Sequence, residues 1–213
     1  MRFHNRREAG RALAAELLER QQAGELPDPL VFGLPRGGLP VAREVAECLG
    51  APLEALVARK IGAPGQPELA IGAIAGDAPP LWDHEALRWL GATAEELAPL
   101  ADKERLELRR REALYREDRP VRELAGRTAV VVDDGLATGY TARAAVRSLR
   151  EHHPARVVVA VPVGSQEAVQ LLSQEADQVV CLEQPAAFGS VGRWYEDFEQ
   201  LTDDEVLELL RGD

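Results

Sequence analysis

The chain has 213 residues, 46% of them hydrophobic and 29% charged, with a net charge of −11. Such a length supports one sizeable core, or one core with a helical subdomain. The acidic balance argues against a general nucleic-acid binder, which needs a basic face for phosphates, and no segment approaches the roughly 18 apolar residues of a membrane span.

The first stretch, MRFHNRREAGRALAAELLERQ, carries acids and no continuous apolar run, so it is read as neither a signal nor a transit peptide. Ala9, Leu13, Leu17 and Leu18 recur there at helical spacing and predict an amphipathic helix from Asn5 to about Gln22. PLVFGL (29–34) reads as a buried strand that enters a tight PRGG loop. Helical periodicity follows over 39–49, with Gly50 as its C-cap. Residues 52–58 read as a second strand ending at Arg59 and Lys60, and IGAPGQPELAIGAIA as a long Gly/Pro-rich loop flowing into a strand near 69–75. Residues 94–116 form a charged helix with sparse apolar positions at Leu97, Leu100, Leu106 and Leu114. That pattern predicts a solvated helix, with a lid or an interface as the other role.

Strands are predicted at 128–133, 156–162 and 178–182, with helices over 141–151 and 166–175. An aromatic segment, AAFGSVGRWYEDF, follows the last strand. A final helix starts at Thr202, where Glu205 completes a capping box. Alternation of apolar strands with helices predicts a mostly parallel α/β sheet covered on both faces. Cys48 and Cys181 are isolated and are expected as small buried residues of a reduced cytosolic protein rather than a disulfide or metal pair. His4, His84, His152 and His153 show no ligand spacing and are assigned to surface or helix-end positions.

The stretch VVVDDGLATGYT (130–141) carries the chemistry. Ligands of such sheets sit at the carboxyl ends of the strands. Asp133 and Asp134 lie at such an end, and the loop after them runs into a helix N-terminus. Gly135 and Gly139 admit close backbone approach, successive amides form an anion nest, and Thr138 and Thr141 add hydroxyls. Two acids would repel a bound phosphate unless they meet hydroxyls or a divalent cation, and a sugar phosphate satisfies both demands. Neither GxxxxGK[ST] nor GxGxxG is present.

This stretch resembles the 5-phosphoribosyl 1-diphosphate (PRPP) motif of the class I phosphoribosyltransferases. The upstream GLPRGGLPVA is similar to their diphosphate loop, and Arg59 and Lys60 stand where the family places a basic residue. The resemblance implies one phosphoribosyltransferase-like domain over 1–213, with a core at about 29–182, a helical insertion at about 82–118 and a C-terminal hood at about 183–213. It implies that Asp133 and Asp134 hold ribose hydroxyls, directly or through Mg²⁺, and that Gly135, Leu136, Ala137, Thr138, Gly139, Tyr140 and Thr141 bind the 5-phosphate. Arg36, Gly37, Gly38, Arg59 and Lys60 would serve the diphosphate, with Lys60 counted as catalytic beside the two acids. GAPGQPELAIGA, with or without helix 94–116, matches the family's mobile catalytic loop. Trp194 and Tyr195 are the aromatics favoured to face the base. Ala137 stands where members acting on 6-oxopurines carry an acid, which is more like the adenine, uracil or orotate branches. The expected partners are PRPP and a nucleobase or other small acceptor, in the cytoplasm, with no nucleic acid or membrane and with homodimerisation open. The alternative is a non-catalytic PRPP or nucleotide sensor of the same fold.

Overall fold

The computed structural model describes residues 2–212. Its centre is a parallel sheet of five strands, β1 (Pro29–Gly33), β2 (Leu53–Ala55), β6 (Thr128–Val132), β7 (Arg156–Val163) and β8 (Gln178–Glu183), in the order β2-β1-β6-β7-β8. Every residue of β6 is buried. That follows from its central place and its run of valines, since a parallel strand covered on both faces has no polar side. Full burial of each valine contributes about 1.5–3 kcal/mol.

Alternate side chains of these strands enter two different cores. Val31, Val130, Val132, Val158 and Ala160 pack with Leu13 and Leu17 of α1 (Arg6–Gln22), Val41 and Val45 of α2 (Gly38–Leu49), and Val206 of α7 (Asp203–Arg211). Leu30, Phe32, Val131, Val157 and Val159 pack with Ala142, Val146 and Leu149 of α5 (Tyr140–Arg150) and Leu172 of α6 (Gln166–Leu172). Helix limits follow local chemistry. The Asn5 side chain caps α1, Gly50 closes α2 at φ 63°, and Thr202 with Glu205 forms the capping box of α7.

The sequence pattern and the structure part company after β2. The predicted strand over 52–58 is two strands: β2 ends at Ala55, and β3 (Ala58–Ala63) belongs to another sheet. The Gly/Pro-rich stretch is not a loop. It is a hairpin of β3 with β4 (Gln66–Ala75), turned at Pro64–Gly65, which β5 (Leu81–Trp82) extends to three antiparallel strands. Glycine here relieves crowding between strands, because a Cβ on Gly62 would lie 2.4 Å from the Pro67 carbonyl oxygen. Ala73 and Ala75 of the hairpin pack on Ala144 of α5.

Helix α3 (His84–Leu90) and helix α4 (Ala94–Arg116) follow. Leu97, Ala101, Leu108 and Tyr115 of α4 are buried at intervals of four and seven, one stripe of a helix, whereas Leu106 is 71% exposed. The charged helix is therefore solvated on one side and packed on the other. Cys48, expected to be buried, is exposed with its thiol against the Ala14 carbonyl of α1, and Cys181 is partly buried. Among the described residues no helix is long and apolar enough to cross a membrane.

The Tyr115 hydroxyl, 1% exposed as a residue, donates to Asp203 Oδ1 at 2.5 Å and ties α4 to the start of α7. Tyr115→Phe removes this bond and leaves the ring in place. The variant should lose about 1–2 kcal/mol, seen as a melting point lower by roughly 2–6 °C in a calorimetric scan. An unchanged melting point would show that this bond adds nothing to the hold on α7.

Candidate functional site

β6 passes through the middle of the sheet and delivers two carboxylates at its carboxyl end. Asp133 Oδ1 accepts the Asp134 amide at 2.8 Å, a local bond that turns the chain sharply out of the strand. The loop beyond is pinned to the end of β7 by Leu136 N–H on the Val163 carbonyl and Ser165 N–H on the Leu136 carbonyl, each at 2.9 Å. The Ser165 hydroxyl also donates to the Ala137 carbonyl at 2.7 Å. With its carbonyls held from below, the loop exposes Ala137 and Thr138. Their N–H groups and that of Gly139 have no protein acceptor among the described residues. Gly139, at φ 79°, then swings the chain into α5, whose first turn adds its own unpaired donors. The result is a row of backbone donors at a helix N-terminus, suited to an oxyanion.

The PRGG loop between β1 and α2 lies directly on the acids. A Cβ on Gly37 would stand 2.2 Å from Asp134 Oδ2, and a Cβ on Gly38 would stand 2.8 Å from the Val132 carbonyl oxygen and 3.1 Å from Asp133 Oδ1. Only glycine permits that approach. The Pro35–Arg36 peptide bond in this loop is cis. Sequence elements about a hundred residues apart thus form one surface, with Gly37, Gly38, Asp133, Asp134 and the 135–141 loop together.

The other sequence-predicted residues are placed less uniformly. Arg36 donates from Nη1 to the Leu201 carbonyl at 2.8 Å, so it is tied to the segment before α7. Arg59 pairs with Glu104 of α4 at 2.6 Å. Lys60 is exposed on β3 and has no protein partner among the described residues. It lines a cleft between the hairpin and α4 together with Lys103, the only other lysine of the chain. Burial and the neighbouring Asp83 carboxylate raise the Tyr140 hydroxyl above its ordinary pKa, and the Arg143 guanidinium lies 5.6 Å from its ring.

Tyr195 is 1% exposed, sandwiched near Phe3 and Phe198, and its hydroxyl donates to the Asp134 carbonyl at 2.6 Å. Its ring has no face open to a ligand, so its position is that of a strut beneath the loop. Trp194 is half-buried, with its indole N–H on the Phe188 carbonyl at 2.9 Å.

One residue at the site carried no sequence signal. Arg6, in the first turn of α1, reaches Asp134 Oδ2 from Nε at 2.9 Å. Its guanidinium lies 3.9 Å above the Phe198 ring, and Nη1 donates to the Glu199 carbonyl at 2.8 Å. Burial raises the Asp133 pKa well above its ordinary value, and the neighbouring Asp134 charge adds to it. Asp134 is raised mainly by burial, with Arg6 opposing. Among the described residues no three His, Cys, Asp or Glu side chains gather as a metal site.

The family model of the phosphoribosyl transferase domain matches residues 3–196. The chain belongs to this family. Two Mycobacterium tuberculosis strains carry relatives named "Putative phosphoribosyl transferase", each 46% identical over 208 residues and covering 98% of this chain. The chain spans 46% of their length. The crystal structure of TT1426 from Thermus thermophilus is also similar, with a TM-score of 0.81 and 44% identity over 99% of this chain and 98% of that one. The acid pair and the PRGG loop both lie within the stretch that the phosphoribosyl transferase model covers.

The raised Asp133 pKa has a consequence for stability. The folded state binds that proton more tightly than the unfolded chain, so stability falls as pH rises from the ordinary aspartate value through the raised one. Above that window an ionised, half-buried Asp133 costs stability. Asp133→Asn should therefore raise the melting point at pH 7 in metal- and ligand-free buffer, and the gain should shrink as pH falls toward about 4. A variant that melts lower than the wild type at pH 7 would contradict a raised Asp133 pKa.

Proposed function

We propose that this phosphoribosyl transferase family member moves the 5-phosphoribosyl group of PRPP to a nitrogenous base and releases diphosphate. The observation that carries the reading is the contact of the two glycines of the PRGG loop with the carboxylates of the acid pair. It supports a single ligand with a phosphate at one end, vicinal hydroxyls in the middle and a diphosphate at the other. In the reaction the C1–O bond to diphosphate breaks, a C1–N bond forms, and the base gives up its N–H proton to solvent or to the departing diphosphate.

Each part of the site has work suited to its chemistry. The amides of 135–141 and the Thr138 and Thr141 hydroxyls hold the 5-phosphate. The acid pair orients the ribose, and its negative charge favours the cationic character that C1 acquires as the bond lengthens. The Gly37 amide and the Arg36, Arg59 and Lys60 side chains stand for the diphosphate, whereas the Gly38 amide, expected from the sequence to be bare, is already given to the Leu34 carbonyl at 2.9 Å. Positioning and electrostatics supply most of the rate. A Mg²⁺ ion fits the oxygen chemistry of Asp133 and Asp134. With too few protein ligands for a cage it would take most of its coordination from substrate oxygens and water, and when bound it would offset the charge of the leaving group. Half-buried Trp194 is the aromatic favoured to meet a base. Cytoplasmic action on small molecules, without nucleic acid, is part of the same reading.

Two measurements test it. Purified protein with PRPP, Mg²⁺ and a panel of bases should release diphosphate for at least one base, and Lys60→Ala should lower kcat/KM for PRPP by about one to three decades. Tight PRPP binding without turnover for any base would favour the sensor. Ribose 5-phosphate should protect the 135–141 amides from hydrogen exchange, and unchanged exchange under saturating ligand would refute the phosphate cradle.

A further inference from the structure

Arg36 is the one basic side chain of the PRGG loop, and its charge is left uncancelled. Its Nη1 donates to the Leu201 carbonyl at 2.8 Å, a neutral acceptor, and it makes no ion pair among the described residues. Arg59, by contrast, is paired with Glu104. The single bond restrains the Arg36 guanidinium and leaves Nε and Nη2 without an acceptor among the described residues. The backbone N–H groups of Arg36 and Gly37 are likewise without one.

The Leu201 carbonyl is itself held from a distance. Leu201 is packed against the core, and the next residue, Thr202, caps α7 together with Glu205. Asp203, the first residue of α7, accepts the Tyr115 hydroxyl of α4 at 2.5 Å. Burial and that bond push the pKa of the Tyr115 hydroxyl up to about 12, against the opposing charges of Arg111 and Arg36. The hydroxyl is therefore protonated at neutral pH and able to donate, and the Arg36 charge lies within reach of it. Helix α4, helix α7 and the PRGG loop thus meet at one place. The link runs from Tyr115 through Asp203 and Leu201 to Arg36, and none of its bonds involves the 135–141 loop.

We propose that Tyr115 and Asp203 are positioning residues for the diphosphate: through the Leu201 carbonyl they hold the Arg36 guanidinium in place before that group arrives. The proposal rests on the reading of the PRGG loop as the diphosphate site. Its physical logic is preorganisation. An arginine side chain that is free to rotate loses that freedom when it binds an anion, and one already held loses less. A backbone carbonyl suits the task, because it orients the fork without cancelling its charge as a carboxylate would. The effect is confined to the diphosphate end of the ligand, since the link does not reach the loop assigned to the 5-phosphate.

The test compares ligands that carry a diphosphate with one that lacks it, by calorimetry on the full chain in Mg²⁺. Tyr115→Phe should weaken PRPP and inorganic diphosphate by about three- to tenfold, and ribose 5-phosphate by less than about twofold. Arg36→Ala should weaken PRPP about tenfold or more. The double variant Y115F/R36A should be no weaker than R36A, because the group that Tyr115 positions is gone. Arg36→Lys, with a charge but no planar fork to hold, should lie between wild type and R36A and should not respond to Y115F. Helix α7 stays docked in Y115F, since Arg119 Nη1 still donates to the Leu210 carbonyl at 3.2 Å and Val206, Leu207 and Leu210 remain in the core. Val206→Ala is the control for loosening of α7: it should lower the melting point and leave the ratio of PRPP to ribose 5-phosphate affinity unchanged. Equal weakening of both ligands by Y115F, tighter PRPP binding in Y115F, a further loss in the double variant, or the same selectivity in Val206→Ala each overturns the proposal. A wild-type chain that binds no PRPP overturns the reading of the loop on which it rests.

Discussion

The site depends on one steric constraint, the approach of a bare backbone to a pair of carboxylates. Gly37 and Gly38 lie so close to Asp134 and Asp133 that a single methyl group on either would collide with the β6 end. A third glycine extends the pattern. A Cβ on Gly135 would stand 2.7 Å from Val191, in the segment after β8, so the loop is crowded on a second side. The PRGG backbone packs against the acids here because no side chain intervenes.

The segment after β8 and the N-terminal segment are clasped together beside the acid pair. Phe3 and Tyr195 form a parallel bridge, and Tyr195 reaches the Asp134 carbonyl, so the N-terminal segment and the hood meet beneath the loop. The Arg36 bond to Leu201 ties the PRGG loop to the segment that follows the hood aromatics. His4 and Glu196 pair at 3.0 Å on the exposed rim of this clasp, and the pairing raises the His4 pKa. A buried tyrosine, an arginine and a surface ion pair thus share one junction, graded from dry to wet.

The central sheet is legible in the sequence because its strands are short, apolar and separated by amphipathic helices with recognisable caps. The Thr202–Glu205 box and the Gly50 C-cap mark helix limits that the structure repeats. The acid pair and its loop are legible because an ordinary strand end asks for no second acid. The hairpin of β3 and β4 is not, since Gly62, Pro64, Gly65 and Pro67 read as a loop until strand crowding explains the glycines. Arg6 and Tyr195 are illegible in their roles for a different reason. Each acts across more than sixty residues of chain through a single hydrogen bond, and periodicity carries no trace of such a contact. In α4 the charge density conceals Leu108 and Tyr115, while Leu106, equally apolar in sequence, faces water.

The distribution of lysine has a practical consequence. Lys60 and Lys103 are the only side-chain amines of the chain, and both line the cleft between the hairpin and α4. The other 23 basic residues counted with them are arginines, which amine-directed reagents leave alone. Reductive methylation with a carbon-13 label would therefore place two side-chain NMR probes at one cleft and none on the parallel sheet. The molecule carries its own reporter pair for the hairpin, installed by composition.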